Sequence, residues 1–486
     1  MENYNDSKNM KRSIMSGLFW KFGERITAQL VSLVVSIILA RILSPSEYGA
    51  VALVMVFITI ANVFVASGFG TALIQKKDAD DVDFSSVFYI NIAISVLIYL
   101  IIFISAPYIS SFYDMPIMTS ALRVLGIRII FAAVNTIQQA YVSRMMLFRK
   151  FFWSTLFGTV ISGIVGIAMA YGGCGVWALV AQYLVNTCTD TFILWITVRW
   201  RPKKVFSWDK AKSLVSYGWK MLVSSLLDTG YTQLRSLIIG KIYTPEDLAY
   251  YNQGERYSSF VIKNINTSIG AVLLPAMASR QDDHKKIKDM TRKSVRVSSF
   301  VIWPIMIGII IVAEPLVKLL LTDKWLFCVP YLRILCLAYG FWPVHTANLQ
   351  AINALGRSDI FLKLEVIKKI ISLVVIVVSV QFGTLAIAYG VLIDSMIGTV
   401  INSYPNVKLI DYKYFEQVKD IIAPIAFSVL MGVIIYPIGL IRLNNLLTVI
   451  IQTVVGAGIY VLFLIITKQD VVTLVINTFR KAKNDK

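Results

Sequence analysis

The chain has 486 residues, of which 57% are hydrophobic and only 15% charged, a balance outside that of ordinary soluble domains. Its formal net charge of +19 arises from 47 Lys and Arg against 28 Asp and Glu, confined to short segments between long apolar runs. This composition indicates an all-α polytopic membrane protein; the alternating ten-residue strands of a membrane barrel are missing, and no stretch is left for a catalytic soluble lobe.

In chain order, residues 1–16 are polar and carry Lys8, Lys11 and Arg12. The helix behind them contains Glu24 and Arg25 and has no small-residue cleavage site, so it reads as a retained membrane helix and not a cleaved signal. Fourteen spans are expected, at 17–43, 50–70, 87–108, 117–143, 153–171, 176–198, 214–241, 251–279, 297–317, 326–354, 362–380, 384–406, 421–438 and 446–466. Alternate connections differ sharply in charge: about 31 Lys and Arg fall on the side of the N-terminus, against about five (Arg41, Lys241, Lys318, Lys324 and Arg442) on the other. Basic loops stay cytoplasmic during insertion, so both termini are expected in the cytoplasm of a cell with this multi-pass protein in its inner membrane. The same asymmetry accounts for the basic balance through membrane lipids, without a nucleic-acid partner.

The sequence is internally repeated. Arg41-Ile42-Leu43-Ser44-Pro45-Ser46-Glu47 at the end of the first span matches Lys241-Ile242-Tyr243-Thr244-Pro245-Glu246-Asp247 at the end of the seventh, an offset of 200. Trp20-Lys21 matches Trp219-Lys220, Gly175-Val176-Trp177-Ala178 parallels Gly383-Thr384-Leu385-Ala386, and Arg149 parallels Arg357. Because each unit holds an even number of spans, the repeats are parallel, related by an axis along the membrane normal. The expected division is an N-terminal six-helix lobe over 1–200, a second over 201–410, and a terminal helix pair with a basic tail over 411–486.

Polar residues within the spans recur at helical spacing. The first span carries Lys21, Arg25, Gln29, Ser32 and Ser36; the seventh carries Lys220, Ser224, Asp228, Thr232 and Arg235; the eighth carries Asn252, Arg256, Ser259, Lys263 and Asn266. The fourth adds Arg123, Arg128, Asn135 and Gln139. Ionised groups in hydrocarbon cost several kcal/mol, so these stripes are expected to line a polar, net-cationic cleft between the halves, with interhelical hydrogen bonding the simpler role for single Ser, Thr and Asn residues. Such a cleft suits an anionic headgroup carrying sugars, because guanidinium and ammonium groups bind phosphate while amides and hydroxyls meet sugar hydroxyls. Glu24, Asp190, Asp228, Glu255 and Asp394 form a second, acidic set. Glu24 beside Arg25 and Glu255 beside Arg256 read as ion pairs; Asp394, without an adjacent cation, is the first candidate for coupling to a proton or sodium ion, with Glu24 second. Trp200, Trp219 and Trp325 near span ends read as interfacial anchors. Cys174, Cys188, Cys328 and Cys336 lack metal-ligand spacing and a disulfide pattern, and His284 and His345 are too few for a metal cluster, so no cofactor is expected.

On the turn Ala40 to Gly49, the segment Gly68 to Lys77, the segment Tyr250 to Arg256, Pro275 and Leu321 to Trp325, the chain resembles the polysaccharide-exporting branch of the MOP superfamily. Within that branch it resembles Wzx-type lipid-linked oligosaccharide flippases of the colanic-acid and teichuronic-acid exporter group. The likeness runs from about residue 12 to 440. Asp323 departs from the Gly that many relatives carry there. The resemblance implies two six-helix lobes around a central cavity, alternating access, and a polyprenyl-pyrophosphate-linked repeat unit as cargo, with a polymerase and glycosyltransferases as pathway partners. It also implies that Arg25 and Arg256 engage the pyrophosphate. A multidrug or cation antiporter of the same superfamily is the nearest rival, but would rely on acidic residues. A membrane enzyme of polysaccharide assembly would need a substantial catalytic loop, and a purely structural partner would not need charged helix interiors.

Overall fold

The computed structural model describes residues 2–66, 69–76, 78–441 and 443–468. Side chains of residues 1–19, 21 and 22 lie outside the described set, and with them Lys8, Lys11, Arg12 and Lys21; so do Gly68, Lys77, Arg442 and the tail from residue 469. Sixteen helices and no strand occur among the described residues: α1 (Glu2–Ile42), α2 (Pro45–Ala66), α3 (Phe69–Gln75), α4 (Asp81–Phe112), α5 (Ile117–Arg144), α6 (Phe148–Tyr171), α7 (Val176–Thr197), α8 (Trp208–Ile242), α9 (Pro245–Ala278), α10 (His284–Leu321), α11 (Val329–Tyr339), α12 (Trp342–Ala354), α13 (Ser358–Ser379), α14 (Thr384–Leu409), α15 (Tyr414–Ile435) and α16 (Asn445–Ile466). Eleven segments among the described residues are long and apolar enough to cross a membrane. The other three expected spans are helices α7, α8 and α13, whose Asn186 and Asp190, Lys220 and Asp228, and Lys363 and Lys368 lower their apolarity. The expected tenth span is two helices, α11 and α12, separated at Gly340 and Phe341, where Pro343 withholds one backbone donor from the ladder.

The chain divides into two compact units, Met1–Ala249 and Tyr250–Lys486. In the first, α6 packs on α7 and α1, α5 on α2, α4 and α7, and α8 on α2 and α4. The α6 interface is a row of small residues at every fourth position, Ser154, Gly158, Ser162, Gly166 and Ala170, all buried, which lets the backbones approach. The repeat is visible in the helix starts. Glu47 accepts from the backbone and hydroxyl of Ser44 at 2.7 and 2.8 Å, and Asp247 does the same for Thr244 at 3.2 and 2.8 Å. Each hydroxyl returns as acceptor for the acid's own N–H, at 3.3 and 3.2 Å, a reciprocal cap that fixes both corners. The two corners touch: a Cβ on Gly49 would lie 1.8 Å from the Pro245 carbonyl oxygen.

At the basic end of this unit, Asp80 and Asp83 cap α4 and bind Lys210 and Lys76 at 2.5 and 2.7 Å. The hydrogen bond from Lys210, then that from the Asp83 backbone, hold the Asp80 carboxyl at about 2 instead of 3.8. This tie is fully present above about pH 4 and lost only as pH falls through about 2. Trp200 is buried against Phe84, Phe88 and Tyr141, and Trp325 is fully buried against Tyr250. Both are therefore core residues and not interfacial anchors; only Trp219 is exposed.

In the second unit α10 is the spine, contacting α11, α12, α15 and α16, while α14 packs on α11, α12 and α13. The terminal pair α15 and α16 is joined to α10 by an apolar cluster of Phe300, Trp303, Ile307, Met431, Ile435 and Tyr460. Buried amides add to this: Asn348 of α12 donates to Gln417 of α15 at 3.0 Å and accepts from Asn406 of α14 at 2.7 Å. Asp420 of α15 accepts from Arg292 at 2.8 Å and from Tyr412 at 2.9 Å. Replacing Asn348 with Leu strands the buried Gln417 carbonyl oxygen, and is expected to cost about 1–3 kcal/mol, read as a lower melting temperature of the detergent-purified protein.

Candidate functional site

Within the first unit the polar residues of α5 and α7 meet. Arg128 lies eleven residues into α5, about 16 Å along its axis, and so near the middle of a hydrocarbon layer roughly 30 Å thick. Its Nε donates to Thr187 Oγ1 at 2.7 Å, a terminal nitrogen lies 3.9 Å from Met55 Sδ, and the guanidinium stands 5.9 Å from the Tyr183 ring. No carboxylate among the described residues pairs with it. Two turns further along α5, buried Asn135 donates to Asp190 of α7 at 2.6 Å, leaving the outer oxygens of both without a described partner. Sequence periodicity put Arg128 and Asn135 on one face, and the structure gives that face a partner helix.

Arg123 is drawn aside from this pair: its guanidinium covers the Phe103 ring at 4.3 Å and donates to the Phe103 carbonyl. On α1, Glu24 accepts from Thr155 at 3.1 Å, and Arg25 is exposed with no ion pair among the described residues. The expected Glu24–Arg25 pair does not form, because α6 presents a hydroxyl to the acid. Arg25 lies on α1, seventeen residues before its end at Ile42. The stripe winds inward past half-buried Gln29 to buried Ser36. On α8, Lys220, Ser224, Asp228 and Thr232 form an exposed polar face with Arg235 half-buried at its far end.

Within the second unit α9 behaves differently along its length. Gly254 sits against α11, where a Cβ would come within 2.7 Å of Tyr331 Cβ and 2.9 Å of the Leu332 nitrogen. This contact seats Glu255 beside Tyr339, whose hydroxyl donates to it at 3.2 Å, so the expected Glu255–Arg256 pair is replaced. Arg256 is half-buried and Lys263, two turns on, is exposed; neither side chain has a hydrogen-bond or ion-pair partner among the described residues. Ser259 turns into the unit and Asn266 accepts from Thr346 at 2.6 Å. The α9 stripe therefore separates into an inward set of amides and hydroxyls and an outward pair of cations.

A polar cluster in this unit was missed by the sequence reading. Asp394 of α14 accepts from Ser372 of α13 at 2.5 Å. One turn away, His345 of α12 contacts Asn402 at 2.9 Å, Thr399 at 3.2 Å and Ser395 at 3.5 Å. Both hydroxyls donate onward to backbone carbonyls, so they accept from Nε2–H, and Nδ1 takes the Asn402 amide proton. The signal was present: Ser395, Thr399, Asn402 and Asn406 recur at steps of four, three and four on α14.

Comparison with known proteins places these features in context. A family model described as "Polysaccharide biosynthesis protein" matches residues 38–330. The succinoglycan biosynthesis transport protein ExoT of Rhizobium meliloti (strain 1021) is 22% identical over 465 residues, covering 92% of this chain and 91% of the relative. The teichuronic acid biosynthesis protein TuaB of Bacillus subtilis (strain 168) is 23% identical over 436 residues, covering 89% and 90%. Among solved structures, the lipid II flippase MurJ in an inward closed conformation superposes with a TM-score of 0.75 at 15% identity, covering 94% of this chain and 100% of that one.

Proposed function

The chain belongs to the polysaccharide biosynthesis protein family, and from that premise we propose that it is a flippase for a polyprenyl-pyrophosphate-linked oligosaccharide repeat unit. The observation that carries the reading is the pair Arg256 and Lys263, cations on a membrane-length helix without a described protein partner. A charge at that depth is costly against lipid, so it faces water or a ligand, and an anionic ligand removes the cost. A cationic drug would meet repulsion there.

In this reading Arg25 and Arg256 bind the pyrophosphate, and Lys263 adds charge; half-buried Gln29 and neighbouring hydroxyls meet sugars, while the polyprenyl chain stays in lipid. Gln29, Arg123, Arg128, Asn135, Asp228 and Arg235 complete the candidate contact set. Asp394, with Glu24 second, couples transport to a proton or sodium ion as the cationic faces are exposed alternately to the two sides of the inner membrane. Both termini lie in the cytoplasm, where glycosyltransferases supply the cargo, and a polymerase consumes it on the other side.

The test is translocation in proteoliposomes of a fluorescent pyrophosphate-linked glycan, measured by its accessibility to an impermeant reagent. A rate no faster than in empty liposomes would overturn the assignment. Arg128→Gln retains an amide donor for Thr187 but removes the charge; translocation is expected to fall about tenfold, the worth of one charge-assisted hydrogen bond, at unchanged melting temperature.

A further inference from the structure

Where α10 ends, the turn Tyr436–Leu440 joins α15 to α16, and a polar pocket of about 260 Å³ opens beside it. Its lining includes Glu314, Lys318, Arg333, Tyr436, Thr448 and Gln452. Adjoining it, an apolar trough of about 390 Å³ runs between α10, α15 and α16 past Ile305, Gly308, Val312 and Met431, and Gln452 lines both spaces. All of these residues belong to the second unit.

Two polar groups at this junction have unfilled capacity. Arg333 Nε donates to the Ile310 carbonyl at 3.2 Å, while its terminal nitrogens have no partner among the described residues. Gln452 is 1% exposed; its Nε2 donates to the Ile435 carbonyl at 3.1 Å, yet its Oε1 has no donor. Lys318 is matched by Glu314 at 2.9 Å, so the guanidinium is the net charge of the pocket. A buried amide oxygen without a donor is costly, and calls for a hydroxyl or N–H. Two guanidinium nitrogens side by side call for a phosphate.

We propose that this pocket and trough bind a resident anionic glycerophospholipid with a hydroxylated headgroup. Arg333 holds the phosphodiester, with Lys318 beside it. A headgroup hydroxyl donates to Gln452 Oε1, and an acyl chain lies in the trough. The site sits near helix ends, the depth at which headgroups are found. It is independent of the transported cargo, and its test reads bound lipid, so it stands or falls apart from the flippase reading.

The experiment is native mass spectrometry of the full chain in detergent, titrated with phosphatidylglycerol, phosphatidylcholine or glycerol 3-phosphate. One phosphatidylglycerol is expected per chain, with phosphatidylcholine at least about tenfold weaker, because its headgroup offers no hydroxyl and no net charge, and with glycerol 3-phosphate not retained. Arg333→Gln and, separately, Gln452→Leu are each expected to lower phosphatidylglycerol retention about tenfold. Gly308→Phe, at a position with open space around it, fills the trough and is expected to do the same. Equal retention of the two lipids would overturn the proposal. So would undiminished retention in all three variants, or binding of glycerol 3-phosphate as tight as the lipid, which marks a soluble-anion site.

Discussion

Replacing Arg256 with alanine is expected to abolish surface polysaccharide while the protein accumulates in the membrane at its normal level. The residue lies eleven positions into α9, about 16 Å along the helix, and has no described partner whose loss would disturb the fold. One charge-assisted hydrogen bond is worth about 1.5–3 kcal/mol, and a guanidinium binds a diphosphate through two, so transport should fall roughly a hundredfold or more. Arg256→Lys keeps the charge but not the planar fork and should retain part of the activity. Arg25→Ala is expected to act in the same direction, since Arg25 is exposed and has no ion pair among the described residues. Quantifying cell-surface polysaccharide alongside membrane abundance checks both. Wild-type polysaccharide in both alanine variants would remove the anion-binding mechanism.

The largest effect on stability is expected at Gly49, where even alanine has no space. A Cβ there would lie 1.8 Å from the Pro245 carbonyl oxygen, and within 2.9 Å of its Cα, all backbone atoms that cannot rotate away. Two capped corners must therefore separate, and overpacking of this kind costs about 1–3 kcal/mol or more. Gly49→Ala should lower both membrane abundance and the melting temperature of purified protein. Gly230→Ala on α8 is the comparison, because nothing lies within 4 Å of its Cβ position and alanine favours a helix by about 1 kcal/mol. Equal melting temperatures in the two variants would show that the corners do not bear on each other.

What was legible in the sequence follows from which signals are local. Apolar runs marked most spans because a bilayer-length helix must be apolar along its own length. The duplicated corner was readable because a hydroxyl residue, Pro and an acid at the third place encode their cap within four residues. Periodicity put Lys220, Ser224, Asp228 and Thr232 of α8 on one face, and all four are exposed, whereas the α9 stripe divides between buried Ser259 and exposed Lys263. Partners were not legible. Glu255 has Arg256 beside it in sequence but takes its hydrogen bond from Tyr339, and Trp200 near a span end is buried by Phe84 and Phe88 more than a hundred positions earlier. The division of α11 from α12 needed both Pro343 and the packing of Gly340 on the Trp303 ring. His345 was read with His284 only as too few for a metal cluster, since its three partners lie fifty or more positions downstream on α14.

The amides joining α15 to α12 and α14 bear on where the chain can be shortened. A protein ending just before Tyr414 would leave Asn348 without the Gln417 acceptor, Tyr412 and Arg292 without Asp420, and the Phe300–Trp303 face of α10 bare. Truncation there would uncover part of the second unit's interior and not merely trim an appendage, so the minimal folding unit extends through α16.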